Sequence, residues 1–167
     1  MRWRWLEAVA IRYCDAFSRD SRPLTATERR QAREVFGPAL DLGPIRIVRA
    51  YIVNSPVALG NVVRIAPGHE LAPFTLIHEL AHVWQYQVRG TEYISNSLWH
   101  QGAALIATGS RQAAYEVRPA DLTAESIHDL PAEKQAVIVE GWFSRPSLRR
   151  HPDYRRLIAQ VRAAKTS

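Results

Sequence analysis

Cysteine and methionine are almost missing from this 167-residue chain, which has one of each. A lone Cys14 cannot close an intramolecular disulfide, so nothing points to an oxidising compartment. It reads as a small buried apolar residue rather than a nucleophile. No apolar run is long enough to span a bilayer. The opening Met1-Arg2-Trp3-Arg4-Trp5-Leu6 has the basic start of a signal peptide, but Glu7 and Arg12 interrupt the apolar stretch that should follow. An amphipathic helix is expected there instead, with no signal peptide and a cytoplasmic location. Delivery by a specialised machine would leave no such mark. Repeats and low-complexity linkers are also absent. The composition that remains, 47% hydrophobic and 23% charged with five Trp and six Tyr, excludes a wholly disordered chain. The length suits one domain with a real core.

The net charge of +6 is local. Residues 145–165 carry Arg145, Arg149, Arg150, Arg155, Arg156, Arg162 and Lys165 against one acid, Asp153, and the rest of the chain is balanced. Only Tyr154 is interleaved with these basic residues and no recognition motif accompanies them, so nucleic-acid binding is not expected. The segment reads as a solvated helix or as a docking face for an acidic partner. The expected division is a main domain over 1–144 and a basic C-terminal helix over 145–167, packed on it or extending it.

Apolar spacing predicts helices over 3–18 and over Thr25 to Phe36, the latter opened by a Thr25/Glu28 capping box and closed by Gly37-Pro38. A break falls at Ser21-Arg22-Pro23. Ile45 to Val53 and Asn61 to Ala66 alternate as strands. The second of these is a candidate edge beside an extended peptide. A helix then runs from Pro73 through Val88, with proline suited to the first turn and Gly90 as the stop. Further helices are expected over 95–107, near Leu122 to His128, from Pro131 through Trp142, and over Asp153 to Ala164. Helices, a small sheet, then helices: the class is α+β in a single domain.

The chemistry concentrates in His78-Glu79-Leu80-Ala81-His82. Four residues apart on a helix, the two imidazoles share one face, one turn apart, and can bind one metal ion. Glu79 beside the first can reach a water on the ion and take its proton. Leu76, Ile77, Leu80, Ala81 and Trp84 would bury this helix, and burying two unpartnered imidazoles and a carboxylate among them would be costly. A solvated helix would not be so apolar. Zinc, one per chain, is the expected ion.

A third ligand must come from elsewhere. The metzincin extension fails, because Gln85 and Val88 stand where glycine and histidine are required. Gly90-Thr91-Glu92-Tyr93 is similar to the aspzincin signature but lacks its aspartate. A downstream acid is left: Glu133, in an E-x-x-A element with Ala136, or Glu140 two turns further on. An oxyanion stabiliser is also needed for peptide hydrolysis; Tyr115 is the first candidate, with Tyr86, His128 and His100 as further donors.

The run Thr75 to Gln85 resembles the HE-[LM]-[TA]-H-V-W-Q core of bacterial Vgr-related proteins, zincin-like domains associated with Rhs, type VI secretion and contractile injection systems. Leu24-Thr25 with Ala32 to Gly37, Asn61 to Ile65, and Glu133 to Val139 resemble further elements of that family, the last with Lys134 in place of its usual glutamine. The resemblance covers roughly residues 24–143. It implies a zincin-like fold of gluzincin type, with Glu133 as third ligand. The function expected is zinc-dependent hydrolysis of a peptide or protein substrate. A non-catalytic, zinc-stabilised adaptor or processing partner of a secretion-system effector is the alternative.

Overall fold

The computed structural model describes residues 21–50, 55–90 and 116–165. The helices expected over 3–18 and 95–107, Cys14, His100 and Tyr115 lie outside the described residues.

Local signals set most helix boundaries. Helix α1, Ala26–Phe36, starts at Thr25, whose side chain accepts from the Glu28 N–H while the Glu28 carboxylate accepts from the Thr25 N–H. This reciprocal cap satisfies two donors that a helix start leaves open. A 3-10 turn, Gly37–Ala39, follows. Helix α2, Pro73–Arg89, has proline at its first turn and ends at Gly90 with φ 66°, a left-handed value that glycine adopts without strain.

The region near 122–128 is two pieces rather than one helix. Helix α3 is Pro119–Leu122, and a separate 3-10 turn spans Ile127–Asp129, with Thr123 to Ser126 between them. Helix α4, Ala132–Ser144, stops before Pro146, which disfavours helical geometry in the residue preceding it. A short helix α5, Pro146–Arg150, is an addition to the predicted set, and α6 is Pro152–Ala163.

Among the described residues four strands form one mixed sheet: β1 (Ser21–Arg22), β2 (Arg46–Arg49), β3 (Val57–Leu59) and β4 (Val62–Ile65), in the order β1-β2-β4-β3. Two expectations change here. Ser21-Arg22 is an edge strand antiparallel to β2, not only a break. The segment 61–66 is not an edge, because β4 lies between β2, to which it is parallel, and β3, to which it is antiparallel. The edge next to α2 is β3, which is too short for alternation to reveal it.

The core joins these layers. Val35 and Phe36 of α1, Ile47 and Val63 of the sheet, Leu76, Ile77, Leu80 and Trp84 of α2, Ile138 and Val139 of α4, and Leu157 and Ile158 of α6 are all buried in one cluster. Burying each large side chain is worth about 1.5–3 kcal/mol relative to exposure. The fold is α+β, as the patterning predicts.

The arginine-rich tail turns inward at three positions. Arg162 donates to the carbonyls of Glu34 and Val35 at the end of α1, and Arg149 to those of Trp142 and Phe143 at the end of α4. Arg156 donates to Leu122 at the end of α3 and to Glu125. Carbonyls in a helix's last turn have no partner within the helix and sit at the negative end of its dipole, so guanidinium groups satisfy both needs. Arg149 and Arg162 also lie over the Trp142 ring, 5.2 and 5.0 Å from its centroid. Much of the excess charge therefore braces helix ends.

Candidate metal centre

Helices α2 and α4 pack along one another, and their facing sides carry the candidate residues. On α2, His78 and His82 fall one turn apart with ring centroids 5.0 Å from each other and planes at 76°. On α4, Glu133, Ala136 and Glu140 share a face, and Ala136 is fully buried.

One oxygen of Glu133, Oε2, lies 3.4 Å from His78 Nε2 and 3.4 Å from His82 Nε2. Ligands about 2.0–2.1 Å from a tetrahedral zinc ion are separated by about 3.4 Å along each edge. Both separations in the structure have that length, and the three side chains offer ligand atoms within 4.8 Å of one another. Two imidazoles and a carboxylate are also the donor set zinc accepts. His78, His82 and Glu133 therefore form a group that could hold a metal ion.

Glu140 sits elsewhere on the same ring. Its Oε2 lies 3.0 Å from His78 Nδ1, so the imidazole is held between two glutamates seven residues apart on one helix. Burial pushes the His78 imidazolium towards deprotonation, but hydrogen bonding to Glu133 and Glu140, with the charge of Glu79, outweighs this and raises its pKa to about 9. His82 Nδ1 instead meets the amide oxygen of Gln85 at 2.9 Å. Gln85 reaches α4 through Ala132 O and Gln135 Oε1.

Glu79 is 6% exposed. Burial raises its pKa above the ordinary carboxylate value, offset in part by the two histidines and by a hydrogen bond from the Ala58 N–H of edge strand β3. A base near the reaction's pH is more effective than an ordinary carboxylate. Of the donors considered for an oxyanion, Tyr86 lies against Gly60. His128 stacks on Trp84, with centroids 5.5 Å apart and planes at 19°. Tyr115 and His100 are outside the described residues.

Sequence reading passed over three contributors: Ala58, Gln85 and Gln135. A signal existed for Gln85, a polar residue on the otherwise apolar side of α2, three positions after His82. Gln135 is 2% exposed, and no comparable signal in the sequence marks it as buried.

No family model matches this chain, and no curated protein matches it. Among solved structures, the fold is similar to that of the effector domain of Pseudomonas aeruginosa VgrG2b, with a TM-score of 0.61 and 22% sequence identity. The match covers 93% of this chain and 96% of that one. At this identity the likeness is one of fold. No described helix is long and apolar enough to cross a membrane.

Proposed function

We propose that this chain is a zinc-dependent metallopeptidase of gluzincin type, with His78, His82 and Glu133 as metal ligands and Glu79 as general base. The observation that carries this reading is the single Glu133 oxygen 3.4 Å from both Nε2 atoms, which matches the edge of a tetrahedral zinc site. Zinc held there supplies a water acidified to about pKa 7 and an electrophile for the scissile carbonyl. Glu79 takes the proton from the attacking water and returns it to the leaving amine nitrogen as the C–N bond breaks. Its burial and raised pKa suit both transfers. Glu140 acts as a positioning carboxylate that orients His78, not as the third ligand. The peptide lies along β3, whose Ala58 N–H already meets Glu79.

The shared fold with a Vgr effector domain supports a setting in which this chain is made in the bacterial cytoplasm and delivered by a secretion machine. The adaptor alternative relies on the basic tail as a docking surface. Three of its arginines are engaged with the chain's own carbonyls, which weakens that support.

Metal analysis of protein purified without chelator tests the reading. One zinc per chain is expected, lost in His82→Ala and Glu133→Ala. Glu79→Gln should keep the metal and lose about 10²–10⁴-fold in peptide hydrolysis. Undiminished turnover in Glu79→Gln rejects the mechanism, and zinc without hydrolysis across a broad peptide library favours the adaptor.

A further inference from the structure

We infer that Gln85 and Gln135 are positioning residues: a buried relay that fixes His82 with its Nε2 lone pair towards the cation and ties that ring to the backbone from which Glu133 springs. The inference rests on the metal-site reading above.

The direction of the relay is set at its far end. Leu130 O is a backbone carbonyl and can only accept, so the atom of Gln135 lying 2.7 Å away is its nitrogen. The Gln135 oxygen then faces the Gln85 nitrogen at 3.0 Å. That nitrogen has a second acceptor, Ala132 O, at 2.9 Å, so both its hydrogens are used. The Gln85 oxygen is left for His82 Nδ1 at 2.9 Å. An oxygen cannot donate, so Nδ1 carries the hydrogen, and the lone pair of the neutral ring is on Nε2. Turning either amide over would set oxygen against a fixed carbonyl. With Gln85 1% and Gln135 2% exposed, no solvent is at hand to repair the mismatch.

The two histidines are thus held by different chemistry. The His78 partner, Glu140, is charged, and its side chain is 31% exposed. The His82 partner is neutral and dry, and adds no charge to the site. Leu130 and Ala132, the relay's anchors, flank Pro131 at the cap of α4, and Glu133 follows in its first turn. One ligand's ring and another ligand's backbone are therefore coupled through two amides. A second-layer hydrogen bond of this kind fixes ring orientation and raises the ligand's basicity.

Methionine keeps the length and volume of glutamine while removing its polar head, which separates the relay from mere packing. Zinc affinity is measured by competition with a chromophoric chelator for wild type, Gln85→Met and Gln135→Met, each first checked for folding by circular dichroism. In the zinc-loaded wild type, the His82 Nδ1–H should appear in ¹H–¹⁵N spectra as a slowly exchanging resonance. Gln85→Met should weaken zinc binding towards the upper end of about 10–100-fold, and Gln135→Met, two bonds removed from His82, towards the lower end. Both should speed exchange of the Nδ1 proton. Affinity within about threefold of wild type in either folded variant overturns the relay, as does a wild-type His82 bound through Nδ1 or one whose Nδ1 proton exchanges freely. The wild-type spectrum decides even if both variants fail to fold. Zinc binding by wild type with unaffected variants sinks the relay alone; no zinc binding by wild type sinks the metal site and the relay with it.

Discussion

Lowering the pH from 9 to 7 should weaken zinc binding to the metal-free protein about fiftyfold. The reason is the proton that His78 holds between Glu133 and Glu140. With a pKa of about 9, this ring is an imidazolium at neutral pH and donates from both nitrogens. A cation at Nε2 must displace that proton. Well below pH 9 each unit adds a factor of about ten to the competition, about 1.4 kcal/mol; the ring is already half protonated at pH 9, so the two units cost about 2.3 kcal/mol. Chelator competition at half-unit steps should give about a ninefold change in Kd between pH 7 and 8, about fivefold between 8 and 9, and flattening above 9. Titration calorimetry at pH 7, in buffers of different ionisation enthalpy, should count about one proton released from this ring. A Kd that varies less than threefold over that range, or binding without proton release, refutes the reasoning. The same shift has the opposite consequence for the metal-free fold. The folded pKa lies above the ordinary 6.5, so the stabilisation is complete below pH 6.5 and is lost as pH rises through about 9. It amounts to about 3 kcal/mol, and metal-free protein should melt at a lower temperature at pH 9.5 than at pH 6.

Other expectations follow from particular contacts. Because burial raises the Glu79 pKa, its ionised form destabilises the metal-free fold at neutral pH, and Glu79→Gln should raise the melting temperature at pH 8 without metal; a lower one would contradict this. Arg162→Met should cost about 1–3 kcal/mol in urea unfolding through the lost Glu34 and Val35 carbonyl bonds. Exposed Arg155→Met should stay within about 0.5 kcal/mol, and equal effects would return the tail to a solvated or docking role. A Cβ on Gly141 would lie 3.3 Å from Leu148 Cδ1 and 3.6 Å from Tyr154 Cε1. Gly141→Val should therefore destabilise by about 1–3 kcal/mol, read as a fall in thermal midpoint, and an unchanged midpoint would show that α5 and α6 can shift aside.

What could be read along the chain is what one or two helical turns decide. The Thr25–Glu28 cap, Pro73 at the head of α2, Gly90 at its end, and two histidines four apart each depend on neighbours within about four residues, so their physics is local. The apolar face of α2 was visible for the same reason. Sheet order was not, because strand pairing joins distant segments: β4 alternates like an edge strand yet lies between β2 and β3, and the true edge beside the helix has only three residues. Where Glu133 and Glu140 lie relative to His78 was also a tertiary matter. Seven residues apart, both are on the same face of α4, and only the docking of α4 on α2 puts one at Nε2 of His78 and the other at Nδ1. The glutamines and arginines make the same point. Gln85 reaches the carbonyl of Ala132, 47 residues on, and Arg162 that of Val35, 127 residues back, and one-dimensional spacing holds no record of which carbonyl folding will leave open.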